Sequence, residues 1–194
     1  MLKTQPHCAN TRARWLKKPF LSKPFYPWLV DKGSLTARLQ KRYQHFAVTP
    51  TMIRYAKLKH DEAHVLRSPT HQAALIREVI LIGNQQAIIF AHSVLPRASL
   101  RGIWQGLNRL GNQALGATLF ANPKVKRTTL VYKKLSANHA LYQQAIQHST
   151  QAAPYLWARR SIFSLNCANI LVTEVFLPQL LLTPSTHDLT TTQP

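Results

Sequence analysis

Two pairs of apolar, strand-like runs constrain the fold of this 194-residue chain more than any other feature. In the first pair, the runs 74–82 and 87–95 are joined by residues 83–86. In the second pair, the runs 159–165 and 170–177 are joined by residues 166–169. Short loops that contain Gly and Asn between such runs are typical of β-hairpins. Because helix-like segments separate the two hairpins, the sequence predicts an antiparallel α+β domain and not a parallel βαβ one.

Hydrophobic spacing and turn residues predict the remaining elements. Ser34 can cap a helix over residues 35–44, where apolar residues recur every four positions. Ser99 can cap another helix, which Gly111 ends. We expect further helices at 114–120 and 137–148, strands at 46–59 and 126–135, and a polar turn at 59–72.

Composition divides the chain into three parts. Residues 1–26 form a basic arm punctuated by proline, and apolar anchors such as Trp15 and Phe20 predict that part of it is ordered against the body. Residues 27–180 form a single folded domain. Residues 181–194 are rich in Thr and Pro, and we expect them to form a disordered tail.

The chain carries 25 Lys and Arg against 6 Asp and Glu, a net charge of +19 with histidine neutral. This charge favours anionic partners, whether nucleic acid, acidic lipid or a small polyanion. No apolar run is long enough to cross a bilayer, and the basic N-terminus lacks the apolar core of a secretory signal. Two cysteines, Cys8 and Cys167, are too few for a disulfide framework, so we expect free thiols in a cytoplasmic protein.

Two acidic residues stand where an acid is costly. Glu78 and Glu174 lie inside the apolar runs, whereas the other acids lie in segments expected to be exposed: Asp31, Asp61, Glu62 and Asp188. Both faces of the run 170–177 are largely apolar, so an ionised carboxylate there is destabilising unless it is paired or hydrogen-bonded. Arg77 and Glu78 point to opposite faces of their strand and should not pair directly.

Arg77 and Glu174 together suggest an internal ligand site. An arginine binds a carboxylate through a two-pronged fork, and a half-buried glutamate can accept from a hydroxyl or exchange a proton, since burial raises its pKa. The two would grip a small ligand with a carboxylate at one end and a hydroxyl at the other. The pattern is also compatible with a buried Arg77–Glu174 salt bridge, and with an edge strand whose Glu174 reaches water.

Six segments of the chain, taken in order, resemble the chorismate lyase family. They are WLVDKGSLTAR at 28–38, TMIR at 51–54, IREVIL at 76–81, LGATLF at 115–120, LWARRS at 156–161 and LVTEVFLP at 171–178. The pair W-x-R-R-S and [LV]-T-E-[LV]-F-L-P at matching spacing is the most specific part. The resemblance covers roughly residues 27–180.

The resemblance implies an α+β enzyme in which helical flaps enclose a ligand against an antiparallel sheet. It implies the conversion of chorismate to 4-hydroxybenzoate and pyruvate for ubiquinone biosynthesis, without cofactor or metal. The family's arginine for the ring carboxylate falls on Arg77, and its glutamate near the ring hydroxyl falls on Glu174. Two flap residues that contact the ligand through backbone N–H groups fall on Leu35 and Leu115. The expected protein is a monomer that binds the chorismate dianion.

His92 departs from the family pattern, since it stands where we expect an arginine. A protonated histidine can still donate to a carboxylate, so we consider His92 for the side-chain carboxylate of chorismate.

Other motifs carry less weight. His60 and His64 could bind zinc on one helix, but the zincin order requires Glu directly after the first His, where Asp61 stands. We therefore expect a solvated loop and no metal there. The arm 1–26 mixes basic and aromatic residues and could bind nucleic acid weakly, yet no recognition motif predicts a stable nucleic-acid partner. Cys167 has no evident catalytic partner.

Two rival functions remain open from the sequence. The first is a non-catalytic module of the same fold that binds a small effector, as in some bacterial transcription regulators. The absence of a winged-helix pattern from the sequence counts against it. The second is a basic protein associated with nucleic acid.

Overall fold

The structure is a computed structural model that describes residues 14–100, 104, 115–166 and 168–182. The helices are α1 (Tyr26–Leu29), α2 (Leu35–Arg42), α3 (His60–Leu66), α4 (Arg97–Leu100), α5 (Leu115–Ala121) and α6 (Ala140–Ile146), with a final 3₁₀ turn at Pro178–Leu181. The strands are β1 (Phe46–Lys57), β2 (Ala73–Gly83), β3 (Gln86–Pro96), β4 (Lys126–Arg127), β5 (Val131–Ser136), β6 (Tyr155–Leu165) and β7 (Ala168–Phe176). None of the described helices is long and apolar enough to cross a membrane.

The strands form one antiparallel sheet in the order β1-β2-β3-β7-β6-β4, and β5 also pairs with β6. The two predicted hairpins are β2–β3 and β6–β7, and they meet at the centre of the sheet, where β3 pairs with β7. The prediction of an antiparallel α+β fold is confirmed. Three of the four long central strands are buried over most of their length, which accounts for their nearly continuous apolar sequences.

The first hairpin turns at Asn84 and Gln85, whose φ angles are 46° and 64°. Positive φ at both central residues is the geometry of the tight hairpin turn that matches strand twist. Gly83, just before the turn, lies under the ring of Tyr43, and a Cβ added there would lie 2.6 Å from the ring's Cγ. This position therefore needs glycine because of a close approach.

The sheet has two covered faces. The front face, defined by Arg77, Ser93 and Glu174, packs against α1, α2 and α5. The back face, defined by Glu78 and His92, packs against α3 and α6. Arg77 and Glu78 lie on opposite faces, as the alternation predicts.

Part of the basic arm lies on the edge of the sheet. Leu16 exchanges two backbone hydrogen bonds with Tyr132 of β5, at 2.7 and 2.8 Å. Trp15 stacks under the guanidinium of Arg160 at 4.0 Å, which anchors this part of the arm. Phe20, by contrast, is 66% exposed and does not anchor it.

Several local predictions are corrected. The polar turn expected at 59–72 contains the helix α3, in which Glu62 accepts a hydrogen bond from the backbone N–H of Lys59. The strand expected at 126–135 is divided into β4 and β5. Helix α4 begins before Ser99, whose hydroxyl donates to the carbonyl of Asn169 instead of capping a helix.

Some predictions fall outside the described residues. One is the helix that we expect to end at Gly111, of which only the first residues and Trp104 are described. Another is the tail from residue 183 onward. Leu181 and Leu182, which we assign to the tail from composition, are described as the end of the 3₁₀ turn and the residue after it.

Candidate active site

A cavity of about 40 Å³ lies between the front face of the sheet and the helices α2 and α5. The structure brings all four predicted site residues to its wall: Leu35, Arg77, Leu115 and Glu174. Most other lining side chains are apolar, including Phe120 and Phe163. This space has room for only a few water molecules, since about 10–15 Å³ is enough for one, so the site is closed around very little room.

The floor of the cavity is made of small side chains between two charged ones. Arg77 of β2 pairs in register with Ser93 of β3, and Glu174 of β7 pairs with Ala91 of β3. The two charged residues therefore lie two strands apart, about 10 Å across the sheet. Ser93, Ala91 and Val172 occupy the space between them without filling it, which leaves a flat apolar strip suited to a ring.

Arg77 enters the cavity from β2 and is almost completely buried, with 2% of its surface exposed. Burial lowers the pKa of its guanidinium, but an arginine remains charged in a protein. A buried cation at one end of an apolar cavity is a specific site for an anion with planar, two-oxygen geometry.

Glu174 is held at the other end by a partner that the sequence did not suggest. The Nε of Arg159 donates to its Oε2 at 2.5 Å, and the Arg159 side chain is fully buried. Nη1 of Arg159 also donates to the backbone carbonyls of Trp28 and Asp31. No described residue donates to Oε1 of Glu174, which leaves this oxygen for a ligand.

Register explains why the sequence alone did not reveal Arg159. Arg159 is the cross-strand partner of Glu174 in the β6–β7 hairpin, so their side chains share the front face. A signal was present, because Arg159 interrupts an apolar strand as Glu174 does. Pairing Arg159 with Glu174 requires the register of the hairpin, and the sequence does not determine that register to within one residue.

Leu35 is the first residue of the roof helix α2, and Leu115 is the first described residue of the roof helix α5. The backbone N–H of Leu35 therefore has no acceptor within α2 and can donate to a ligand. The start of α2 is fixed by Ser34, whose hydroxyl accepts from the N–H of Ala37 at 3.3 Å. The two helices approach closely at Gly116, where an added Cβ would lie 3.3 Å from the hydroxyl of Thr36.

Asp31 ties the segment before α2 into the site. Its carboxylate accepts from the N–H of Gly33 at 2.7 Å and from Arg38 at 2.9 Å. Partial burial alone would raise the pKa of Asp31, but these hydrogen bonds and the charges of Arg38 and Arg159 together lower it. The carboxylate is therefore a fixed negative charge that holds the roof in place.

His92 does not belong to this site, which corrects the role that we considered for it. It lies on the back face, where Nδ1 contacts Glu78 at 2.8 Å and Nε2 contacts Glu62 at 3.1 Å. Glu62, expected to be exposed, is buried in this cluster. Burial alone would lower the pKa of His92, but the hydrogen bonds and charges of the two glutamates raise it.

Within the described residues, no group of His, Cys, Asp and Glu side chains could hold a metal ion. His60 and His64 lie on α3 with their surfaces exposed, while Glu62 of the same helix turns inward to His92. The site thus consists of one buried guanidinium, one carboxylate with a free oxygen, the described parts of α2 and α5, and apolar walls. This arrangement defines a protein with a small enclosed cavity on an antiparallel sheet, equipped to bind an anionic group.

Comparison with known proteins identifies the family. Residues 9–184 match the family described as chorismate lyase. The probable chorismate pyruvate-lyase of Methylobacillus flagellatus is 44% identical over 173 residues, which cover 89% of this chain and 97% of that protein. The corresponding protein of Aromatoleum aromaticum is 39% identical over 192 residues, 95% of this chain and all of that protein. The chain belongs to the chorismate lyase family.

Solved structures share the fold at low sequence identity. The C-terminal domain of the histidine utilization repressor from Pseudomonas syringae superposes with a TM-score of 0.55 at 8% identity, covering 73% of this chain and 97% of that chain. PhnF from Mycobacterium smegmatis gives a TM-score of 0.53 at 12% identity, covering 79% and 67%. At such identities the likeness supports the fold alone.

Proposed function

We propose that this protein converts chorismate to 4-hydroxybenzoate and pyruvate. Family membership and the enclosed site support this function. The observation that carries it is the placement of Arg77 and Glu174 at the two ends of one apolar cavity under α2 and α5.

In this proposal the ring of the substrate lies on the strip formed by Ala91, Ser93 and Val172. Arg77 binds the ring carboxylate through its fork, and Oε1 of Glu174 accepts a hydrogen bond from the 4-hydroxyl group. The N–H groups of Leu35 and Leu115 donate to the ligand's polar groups from the roof. The ring carboxylate and the 4-hydroxyl group thus each gain a partner that replaces water.

The reaction is an elimination that makes the ring aromatic. The bond between ring C3 and the enolpyruvyl oxygen breaks, its electron pair leaves with that oxygen, and C4 loses its proton. The departing enolpyruvate gains a proton and becomes pyruvate, so atoms and charge balance without an oxidant or a reductant. Aromatisation supplies the driving force, and the protein orients the substrate, excludes water and assists proton transfer. Glu174 is the proposed assisting group.

Access to the site requires the roof to move. A cavity of about 40 Å³ is far smaller than the 300 Å³ or more of typical ligand pockets. Because α2 and α5 cover the cavity as two short helices, we propose that they act as the flaps that open for substrate and product.

The function is tested by mixing the protein with chorismate and following 4-hydroxybenzoate by absorbance. Glu174→Gln should lower kcat by about 100-fold, since general acid–base groups contribute at least that factor. The variant should remain folded at the assay temperature, but its unfolding temperature should fall because the buried Arg159 loses its charged partner. Asp61→Asn is a control, because Asp61 lies on the back face and pairs with Arg160 at 3.0 Å. Wild-type turnover in Glu174→Gln would remove Glu174 from the mechanism.

The same assay distinguishes the rival functions. Chorismate binding without turnover would indicate a ligand-binding module, which the fold of the repressor domain makes the second candidate. Neither binding nor turnover, together with salt-dependent retention on DNA, would indicate a nucleic-acid-associated protein. We also propose a cytoplasmic monomer without a stable nucleic-acid partner, and size-exclusion chromatography tests the oligomeric state.

A further inference from the structure

The proposed reaction leaves one charge of the substrate unassigned, because Arg77 takes the ring carboxylate and the enolpyruvyl group carries a second one. We propose that Arg127 of β4 binds this second carboxylate. The inference rests on the proposed function and extends it, since it assigns the residue that distinguishes the dianionic substrate from the monoanionic aromatic product.

Sheet register places Arg127 opposite Arg77. Arg77, Ser93, Val172 and Ser161 are successive cross-strand partners and form one row across the front face. Nε of Arg127 donates to the hydroxyl of Ser161 at 2.8 Å, so this guanidinium extends the row beyond β6. Three strand spacings, about 14 Å, separate the backbones at the ends of the row, and two long side chains reach inward over it.

The contacts of Arg127 fix its position and leave one nitrogen available. Nη1 donates to the carbonyl of Lys32 at 3.0 Å, and no described residue accepts from Nη2. The guanidinium lies 5.3 Å from the ring centre of Phe120 and 5.0 Å from that of Phe163. Both rings line the 40 Å³ cavity, so Arg127 stands immediately behind its wall.

Two other arginines of the front face already hold a carboxylate. Arg159 is bound by Glu174, and Arg38 is bound by Asp31. His92 faces the back of the sheet. Arg127 contacts no carboxylate of a described residue, and it lies directly behind Phe120 and Phe163 of the cavity wall.

A second cavity, of about 720 Å³, lies on the outer side of Arg127. Lys17, Lys18 and Lys32 line it together with Arg127, and its described lining contains no Asp or Glu. A cavity with several cations and no acid concentrates anions. In the proposal this positive charge draws the dianion toward Arg127 when the flaps α2 and α5 open, and the aromatic product stays between Arg77 and Glu174 after the C3–O bond has broken.

The test compares a dianion with a monoanion. Arg127→Gln should raise KM for chorismate by about 10- to 100-fold, the effect of losing a charged hydrogen bond, and should leave Kd for 4-hydroxybenzoate nearly unchanged. Arg127→Lys should show a smaller rise, because it keeps the charge and loses the fork. Lys126→Gln, at the exposed neighbouring position, should change neither constant.

Two results would overturn the proposal. A KM for chorismate that is unchanged in Arg127→Gln would show that this residue does not bind the substrate. If the variant loses as much affinity for 4-hydroxybenzoate as for chorismate, Arg127 supports the cavity wall and does not bind the second carboxylate. If Arg127→Gln does not fold, the same comparison in Arg127→Lys decides. If the wild-type protein shows no turnover, the proposed function fails, and calorimetric titration of wild type and variant with chorismate still measures the role of Arg127.

Discussion

At the scale of single residues, the Arg159–Glu174 pair explains how an acid persists inside an apolar sheet. Glu174 keeps one oxygen on a guanidinium and presents the other to the cavity. Arg159 also binds the carbonyls of Trp28 and Leu29, at the end of α1, where helix carbonyls lack their usual N–H donors and attract a cation. One side chain thus orients the candidate catalytic carboxylate and fastens the segment that leads to the roof.

Replacing this arginine should be costly. Arg159→Met should lower the free energy of unfolding by about 3 kcal/mol or more, because it leaves a largely buried carboxylate and several carbonyls without their donor. Arg160→Met is a matched control, since the neighbouring arginine faces the back and pairs with Asp61, whose side chain is 55% exposed. Urea unfolding of both variants measures the difference, and equal losses would contradict the role assigned to the pair.

At the scale of elements, local pattern was enough for the hairpins and for the faces of Arg77 and Glu174. It was also enough for the start of α2, because Ser34 caps that helix through its own hydroxyl. It failed for α3, a helix of seven residues whose Ala63 and Leu66 pack on the back of the sheet. So short a helix depends on tertiary burial and not on its own propensity, and a polar stretch gives no local sign of that.

The expectation for His92 was wrong for a different reason. The family resemblance put this histidine near the site, but strand alternation puts it on the face opposite Arg77 and Ser93. Its partner Glu62 comes from α3, the element that the sequence did not reveal. Contacts between distant segments, such as Arg159 with Glu174 and His92 with Glu62, required the assembled sheet.

The first hairpin offers a test of element packing. Gly83→Ala should destabilise the protein by about 1–3 kcal/mol, because the new Cβ would overlap the ring of Tyr43. Tyr43→Leu removes the ring. It should lower the free energy of unfolding by less than a typical aromatic truncation, since the buried Tyr43 hydroxyl has no hydrogen-bond partner among the described residues. A double-mutant cycle by urea unfolding should show that Tyr43→Leu relieves the penalty at Gly83, whereas strictly additive losses would argue against the clash.

At the scale of the whole molecule, the sheet separates two electrostatic environments. On the front, the carboxylates of Asp31 and Glu174 are each bound by an arginine, so the cavities beyond them present positive charge. On the back, Glu62, Glu78 and Asp61 surround His92 and Arg160. The front suits a dianionic substrate, and the back is a buried network whose charge depends on pH.

That network predicts a pH dependence of stability. Burial alone would lower the pKa of His92, but the hydrogen bonds and charges of Glu62 and Glu78 raise it above its usual 6.5. Gln144 of α6 also donates to Glu78. A raised folded-state pKa adds stability that is fully present below about pH 6.5 and is lost as pH rises through the higher, folded value. Burial alone would raise the pKa of Glu62, but the hydrogen bond and charge of His92 lower it below 4.5, so its contribution is lost only as pH falls through that lower value.

The free energy of unfolding, measured by urea from pH 5 to pH 9, should therefore decline above about pH 6.5 in the wild type, the range where an unperturbed histidine has lost its proton. His92→Gln should be less stable at pH 6 and should lose most of this slope, while His45→Gln, at an exposed position, should keep it. An unchanged slope in His92→Gln would show that the cluster does not titrate in this range. Because His92 faces away from the cavity, its titration should change the free energy of unfolding at alkaline pH. It should not change the affinity for 4-hydroxybenzoate at pH values where the protein remains folded.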